Sequence, residues 1–279
     1  MDIYVDIGNT HTVFGILRNR QDKESKQTTD IRKNIEQNLR ELRFSTKNIE
    51  TSEDIYSSLF PFLKDEVLEN NKLRLNNFIV SSVVPQLNFA IERFIEKYID
   101  SANIYWVEAR DDLGIDWQTE DYKEMGADRV ADILGAIALY DDNFIIVDFG
   151  TAITIDIISN RKYIGGSISP GFLLLIKSLF QETAKLPMVE IKPTLKIAEN
   201  TTIGQIQLGT VDIMCRGINN LIQEVKNHYG NLKVLLTGGF STIAQKVIHC
   251  DDVVPMLQFI GMNYYALICK QRNNVRTGG

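Results

Sequence analysis

The chain has 279 residues, of which 44% are apolar and 24% charged, a globular composition that excludes disorder as the default state and fits one large or two medium domains. Its net charge of −6 argues against a general affinity for phosphate backbones or anionic membrane surfaces. Cys215, Cys250 and Cys269 are odd in number, widely spaced and without C-x-x-C pairing, so neither a disulfide framework nor a zinc site is expected.

The first residues, an acid and then a strand pattern, lack the basic region and apolar segment of a leader, and no apolar run approaches ~18 residues. A soluble cytoplasmic protein without nucleic-acid or membrane partners is expected. "DIYVDIG" and "HTVFGIL" read as two strands of a hairpin separated by turn formers, followed by a polar, aperiodic loop from Arg18 to about Thr29. "DIRKNIEQNLRELRF" sets Ile31, Ile35, Leu39 and Leu42 at helical spacing among charges. "TSEDIYSSLFPFLKDEVLEN" predicts a helix with Thr51 or Ser52 as N-cap, Ile55, Leu59 and Phe62 on its apolar side, and an interruption near Pro61. "NNFIVSSVVP" is a short strand stopped by proline, and "QLNFAIERFIEKYI" returns to a helical period.

"MGADRVADILGAIALY" predicts the next helix, and "NFIIVDFGTAITIDIIS" with "KYIGGSI" three strands joined by tight turns. Here the first hairpin returns: "VDIGNTHTVFGI" from Val5 and "VDFGTAITIDII" from Val147 align without a gap, Asp6 with Asp148, Gly8 with Gly150 and Asn9 with Thr151. One repeat at so long a period implies two related domains, since solenoid periods are about 20–50 residues. "PGFLLLIKSLFQET" and "NLIQEVKNHYG" follow as helices, "KVLLTGG" as a strand, "MLQFIGMNYYALIC" as a last helix, and "RNNVRTGG" as a fraying tail.

A D-x-G-N-T hairpin turn can bind phosphate, because glycine lets the backbone approach, successive N–H groups form an anion nest, and Asn9 and Thr10 add donors. Asp6 would then hold Mg²⁺. Neither a P-loop nor a dinucleotide fingerprint is present. Taken singly, the turn is equally an Asx-type hairpin turn. Its repetition puts two carboxylates across a cleft if the domains pack pseudo-symmetrically. Gly238 and Gly239 of "LLTGGF", after a strand, could lie against an adenosine, although an isolated Gly-Gly is more often a strand-to-helix turn.

In "EMGADRV", Asp128 and Arg129 occupy a helix start. The plain reading is an Asp favoured by the macrodipole beside a surface Arg. In the functional reading the helix N–H groups and Arg129 hold an anionic substrate while Asp128 accepts a proton from its hydroxyl. A carboxylate favoured by a helix N-terminus is a weak base, which suffices for phosphoryl transfer, where positioning and charge neutralisation dominate. His11, His228 and His249 share no metal-ligand spacing, and only His11 abuts the phosphate turn.

With these residues assembled, the chain resembles the type III pantothenate kinases, or Bvg accessory factor family, of the actin-like kinase superfamily. The motifs run in order: D-x-G-N-T (Asp6 to Thr10), S-S-V-V-P (Ser81 to Pro85), G-A-D-R (Gly126 to Arg129), D-F-G-T-A (Asp148 to Ala152), G-G-x-I-x-P-G (Gly165 to Gly171), T-A-K-L-P (Thr183 to Pro187) and T-G-G (Thr237 to Gly239). The resemblance implies an α/β fold of two actin-like (ribonuclease H-like) domains, each a mixed sheet with helices, with ATP in the cleft between them. We set the boundaries at 1–125 and 126–256, leaving 257–279 as a C-terminal helix and frayed tail that could pack back on the first domain.

The same resemblance implies a homodimeric enzyme that phosphorylates pantothenate from ATP in the first step of coenzyme A synthesis. Asp6, Ile7, Gly8, Asn9, Thr10, His11, Thr12 and Val13 would carry the ATP phosphates, with Thr151, Gly238 and Gly239 as further ATP contacts. Gly126, Ala127, Asp128 and Arg129 would bind pantothenate, Asp128 acting as base, with Thr183 as another substrate contact. Asp148 matches a monovalent-cation ligand for K⁺ or NH₄⁺, and Mg²⁺ would accompany the ATP at Asp6.

Two departures stand out. Where the family commonly has a tyrosine that touches substrate, this chain has Thr119, with Tyr122 nearby. The segment from Arg18 to Leu42 is longer than usual by about one helix, and Leu42-Arg43 stands where Trp-Arg is common; we read an exposed insertion without catalytic residues. Two alternatives follow: a kinase of the same fold for another small hydroxylated acceptor, or a non-catalytic nucleotide-binding regulator.

Overall fold

The computed structural model describes residues 1–18, 28–63, 72–119, 121–140 and 142–277. The chain divides into two units: residues 1–113, 121–139 and 258–279 form the first, and 114–120 with 140–257 the second.

In the first unit, β1 (Asp2–Ile7), β2 (His11–Leu17), α1 (Thr28–Asn38), β3 (Leu39–Ser45), α2 (Ser52–Leu63), β4 (Leu73–Ser82), α3 (Pro85–Tyr98) and β5 (Ile99–Trp106) follow in order. The sheet order is β3-β2-β1-β4-β5, with β1–β2 and β2–β3 antiparallel and β1–β4 and β4–β5 parallel. Nearly every side chain of β1 is buried, as in a strand covered on both faces. On one face Ile3, Val5, Ile7 and Phe14 pack with Ile55 and Leu59 of α2 and Ile91 and Phe94 of α3. On the other, Tyr4 meets Phe259 edge to face at 6.1 Å, and Asn263 Nδ2 donates to its hydroxyl at 2.7 Å. The α2 cap is Thr51, whose hydroxyl accepts from the Asp54 N–H at 3.2 Å while Asp54 accepts the Thr51 N–H at 2.8 Å.

The helical stripe expected over Ile31 to Leu42 is half right. The helix ends at Asn38, and Leu39–Ser45 is a strand in which Leu39 pairs with Leu17 and Leu42 with Phe14. Pairing with β2 there overrides the local period. Pro61 lies within α2, which runs through it to Leu63; the continuation expected beyond it over 64–70 lies outside the described residues, as does the loop expected over 19–27. The sequence reading also missed β5.

The helix α4 (Ala127–Tyr140) is buried over most of its length, from Val130 to Ala138. In the second unit, β6 (Asp116–Trp117), β7 (Phe144–Phe149), β8 (Ala152–Ser159), β9 (Lys162–Pro170), α5 (Phe172–Glu182), α6 (Thr202–Gln207), α7 (Ile213–Tyr229), β10 (Lys233–Thr237), α8 (Ser241–Ala244) and β11 (Asp252–Val253) form a six-stranded sheet and its helices. Its order from β9 is β9-β8-β7-β10-β11, antiparallel then parallel as in the first sheet, with β6 added parallel to β9. The repeat is thus a repeat of topology, but not gapless: Gly8 N–H bonds to the His11 carbonyl, whereas Gly150 N–H bonds to that of Ala152, so the second turn is one residue shorter.

Between α6 and α7 the backbone widens into one π-type turn, Leu208–Asp212. Its fully buried Asp212 accepts the N–H groups of Thr194 and Leu195 at 2.9 and 2.8 Å, pinning the extended stretch after α5. The last helix, α9 (Leu257–Thr277), runs through most of the tail expected to fray; residues 278–279 lie outside the described residues.

Candidate active site

In the first unit, β1 ends in the turn from Gly8 to Thr10. This turn is anchored largely through its acceptors: the Gly8 carbonyl takes the Thr46 hydroxyl at 2.7 Å, the Thr10 carbonyl takes the Thr46 N–H at 3.1 Å, and His11 takes the Gly8 N–H at 3.0 Å. A turn tied down by its carbonyls suits an anion cradle. Thr46 was not found by sequence reasoning, because it belongs to no motif; it also meets the Thr12 hydroxyl at 3.1 Å. Ile7, Thr12 and Val13 have buried side chains, while Asn9 and His11 are exposed and Gly8 and Thr10 half-buried.

Asp6, half-buried, accepts a hydrogen bond from Gln258 Nε2 at 2.7 Å, and the same amide lies 3.3 Å from the Ser81 hydroxyl. This gives the S-S-V-V-P motif a physical content. Ser81 stands opposite Asp6 in the β1–β4 register, and Val83 N–H bonds to the Ile7 carbonyl at 3.0 Å. Val83 in turn meets Gly126: a Cβ at Gly126 would lie 3.3 Å from Val83 Cγ1. The G-A-D-R helix start is therefore seated beside the end of β1.

That Cβ would also lie 2.5 Å from Asp128 Oδ1. Glycine at 126 is what allows the Asp128 carboxylate to fold back over the helix start, where Oδ1 accepts the Arg129 N–H at 2.8 Å. Ala127 is buried, and Asp128 and Arg129 are half-buried. Tyr122 donates its hydroxyl to Asp111 at 2.5 Å, and this bond raises its pKa.

In the second unit, three motifs converge. Gly238 has φ +85, and a Cβ there would lie 2.0 Å from Asp148 Oδ1 and 2.7 Å from the Phe149 backbone, so the T-G-G turn closes onto the end of β7. Gly171 N–H bonds to the Thr151 carbonyl at 3.0 Å, and a Cβ on it would meet the Gly150 and Thr151 carbonyls at 2.5 Å. Asp148 is half-buried, Thr151 and Gly239 are exposed, and around Gly239 a Cβ would meet open space. Thr183, exposed at the end of α5, donates its hydroxyl to the Leu179 carbonyl at 2.8 Å. Thr119, in the same unit, is exposed.

Two mixed sheets that share one order over five strands, with β1 and β7 each ending in an Asp-x-Gly turn, define the two-domain α/β kinase fold. Fold likeness agrees: a Campylobacter jejuni protein described as a Baf family transcriptional activator has a TM-score of 0.58 at 20% identity, covering 98% of this chain and 99% of that one. A Sinorhizobium meliloti protein described as a 2-dehydro-3-deoxygalactonokinase reaches 0.51 at 12% identity, covering 95% and 98%. The family model for type III pantothenate kinase matches residues 3–224. A type III pantothenate kinase of Fervidobacterium nodosum is 36% identical over 95% of this chain and 96% of its own, and one of Thermosipho melanesiensis 37% identical over 87% and 89%. The chain belongs to the type III pantothenate kinase family.

Proposed function

We propose that this chain transfers the γ-phosphate of ATP to the 4′-hydroxyl of pantothenate, giving 4′-phosphopantothenate at the entry to coenzyme A synthesis. The observation that carries this reading is the seating of the acceptor motif, Gly126 to Arg129, through Val83 against the residue that precedes the phosphate turn. Donor and acceptor elements of a phosphoryl transfer then share one rigid base, and positioning is most of what the reaction requires.

In this reading the backbone from Asp6 to Val13 receives the ATP phosphates, with Asn9, Thr10 and His11 supplying side chains and the buried Ile7, Thr12 and Val13 shaping the turn. Thr151 and the open face at Gly239 take the rest of the nucleotide, with Gly238 holding the turn closed. Asp128, oriented by the Arg129 N–H, receives the proton of the attacking hydroxyl, and Arg129 with the helix N-terminus holds the pantothenate carboxylate. Thr183 and Thr119 are further substrate contacts. The Asp6 carboxylate would help to hold a Mg²⁺ that arrives on the phosphates, whose chemistry would be to neutralise the charge they carry during transfer. Asp148, set under the Gly238 turn, is the ligand for K⁺ or NH₄⁺. A cytoplasmic homodimer completes the reading; among the described residues no helix is long and apolar enough to cross a membrane.

The test is ADP release from Mg·ATP with potassium present, which should require pantothenate. Asp128→Asn should lower kcat by about 10²–10⁴-fold with little change in ATP affinity. Absence of pantothenate-dependent turnover with every monovalent cation would overturn the reading. A second reading, another small hydroxylated acceptor, is favoured by Thr119 and by the commitment of the Tyr122 hydroxyl to Asp111; an acceptor screen that finds a better substrate than pantothenate would select it.

A further inference from the structure

The bond between Gln258 and Asp6 joins residues at opposite ends of the sequence and belongs to none of the family motifs. An ionised carboxylate can only accept, so the amide must present its NH₂ to Asp6, and the 3.3 Å approach to Ser81 Oγ uses the same nitrogen. Three elements fix this contact: β1 carries Asp6, β4 carries the fully buried Ser81 opposite it, and the first turn of α9 carries Gln258. The start of α9 is itself held, by Phe259 against Tyr4 and by Gly261 against the Ala131 backbone.

The chemistry of the donor matters. A lysine or arginine at this place would orient the carboxylate but also neutralise it; an amide donates without adding charge. Asp6 is thereby turned by a contact that adds no positive charge.

We propose that Gln258 is a positioning residue for Mg·ATP binding: acting through Asp6 Oδ1, it holds the carboxylate in the orientation that meets the metal carried by the phosphates. This rests on the reading that the turn after β1 receives Mg·ATP.

Gln258→Met keeps the length of the side chain and removes the donor. Calorimetric titration of the full chain should show Mg·ATP affinity lowered about tenfold, as for loss of a hydrogen bond to a charged group, while ATP titrated in EDTA binds as to the wild type. The KM for Mg·ATP should rise and that for pantothenate stay constant. In an Asp6→Asn background, Gln258→Met should change Mg·ATP affinity no further. Gln258→Glu, which sets a second carboxylate against Asp6, should weaken Mg·ATP at least as much, and serves if the Met variant fails to fold by thermal melting. The proposal is overturned if Gln258→Met and Gln258→Glu leave Mg·ATP affinity unchanged, if they weaken metal-free ATP equally, or if their effect persists without the Asp6 carboxylate. If Asp6→Asn itself leaves Mg·ATP binding intact, the underlying site reading has failed; if it weakens binding and the Gln258 variants do not, only the positioning role has.

Discussion

At the scale of single residues, two glycines separate packing from openness. Gly238 combines φ +85 with a would-be Cβ 2.0 Å from Asp148 Oδ1, whereas a Cβ at its neighbour Gly239 would meet nothing. Gly238→Ala should therefore cost about 2 kcal/mol or more in denaturant unfolding, from backbone strain and steric overlap together, while Gly239→Ala should stay within about 1 kcal/mol. Equal effects would show that the turn does not close on Asp148 as described. Thr46→Val removes the 2.7 Å bond to the Gly8 carbonyl; it should cost about 1 kcal/mol and raise the KM for ATP with the pantothenate KM unchanged. The motif residues were legible because turn glycines, acids and small hydroxyls in fixed order are a chemical pattern. Thr46 and Gln258 were not, since a threonine on a 3₁₀ turn and a glutamine at a helix start have no local signature.

At the scale of elements, α9 shows how much the tertiary context imposes. A Cβ on Gly261 would lie 1.6 Å from the Ala131 carbonyl oxygen and 2.8 Å from the Gly135 nitrogen, so α9 crosses α4 at backbone contact. Gly261→Ala must push the helices apart, and should lower the unfolding free energy by about 2–4 kcal/mol in denaturant titration. Further along, Arg272 bonds to Asp112, and Arg110 reaches the same carboxylate at 2.8 Å. Burial alone would raise the Asp112 carboxyl, but these two guanidinium groups win and hold it below the ordinary aspartate range. A pKa depressed by folding contributes stability that is present above the unfolded value near ~4 and is lost as pH falls through the folded value. Hydrogen exchange in the second half of α9 should accelerate below about pH 4 in the wild type, and Asp112→Asn should remove that acid-dependent step. The strand β3 was read as helix because Leu39 and Leu42 continue a three-to-four spacing; only the partner strand β2 reveals that they serve opposite faces of a sheet, Leu39 against Gly15 and Leu42 in the α2–α3 core.

At the scale of the whole chain, Cys215 is buried while Cys250 and Cys269 are half-buried. The Cys215 pKa is pushed up to about 12 by burial, and burial also raises Cys250 and Cys269. At pH 8 a disulfide-exchange reagent should modify the native protein far more slowly than the unfolded chain, which should release all three thiols at once. Rapid native labelling of Cys215 would contradict its burial. The sequence by itself determined the family, the two hairpins with their Asp-x-Gly turns, and the G-A-D-R motif at a helix start, because each is written in contiguous residues of distinctive type and spacing. Tertiary structure decided the rest: that the second turn is one residue shorter, that residues 121–139 and α9 group with the first sheet, and that a glutamine far along the chain reaches Asp6. Each of these depends on contacts between segments distant in sequence, and such contacts are set by which faces can be buried together rather than by any local pattern.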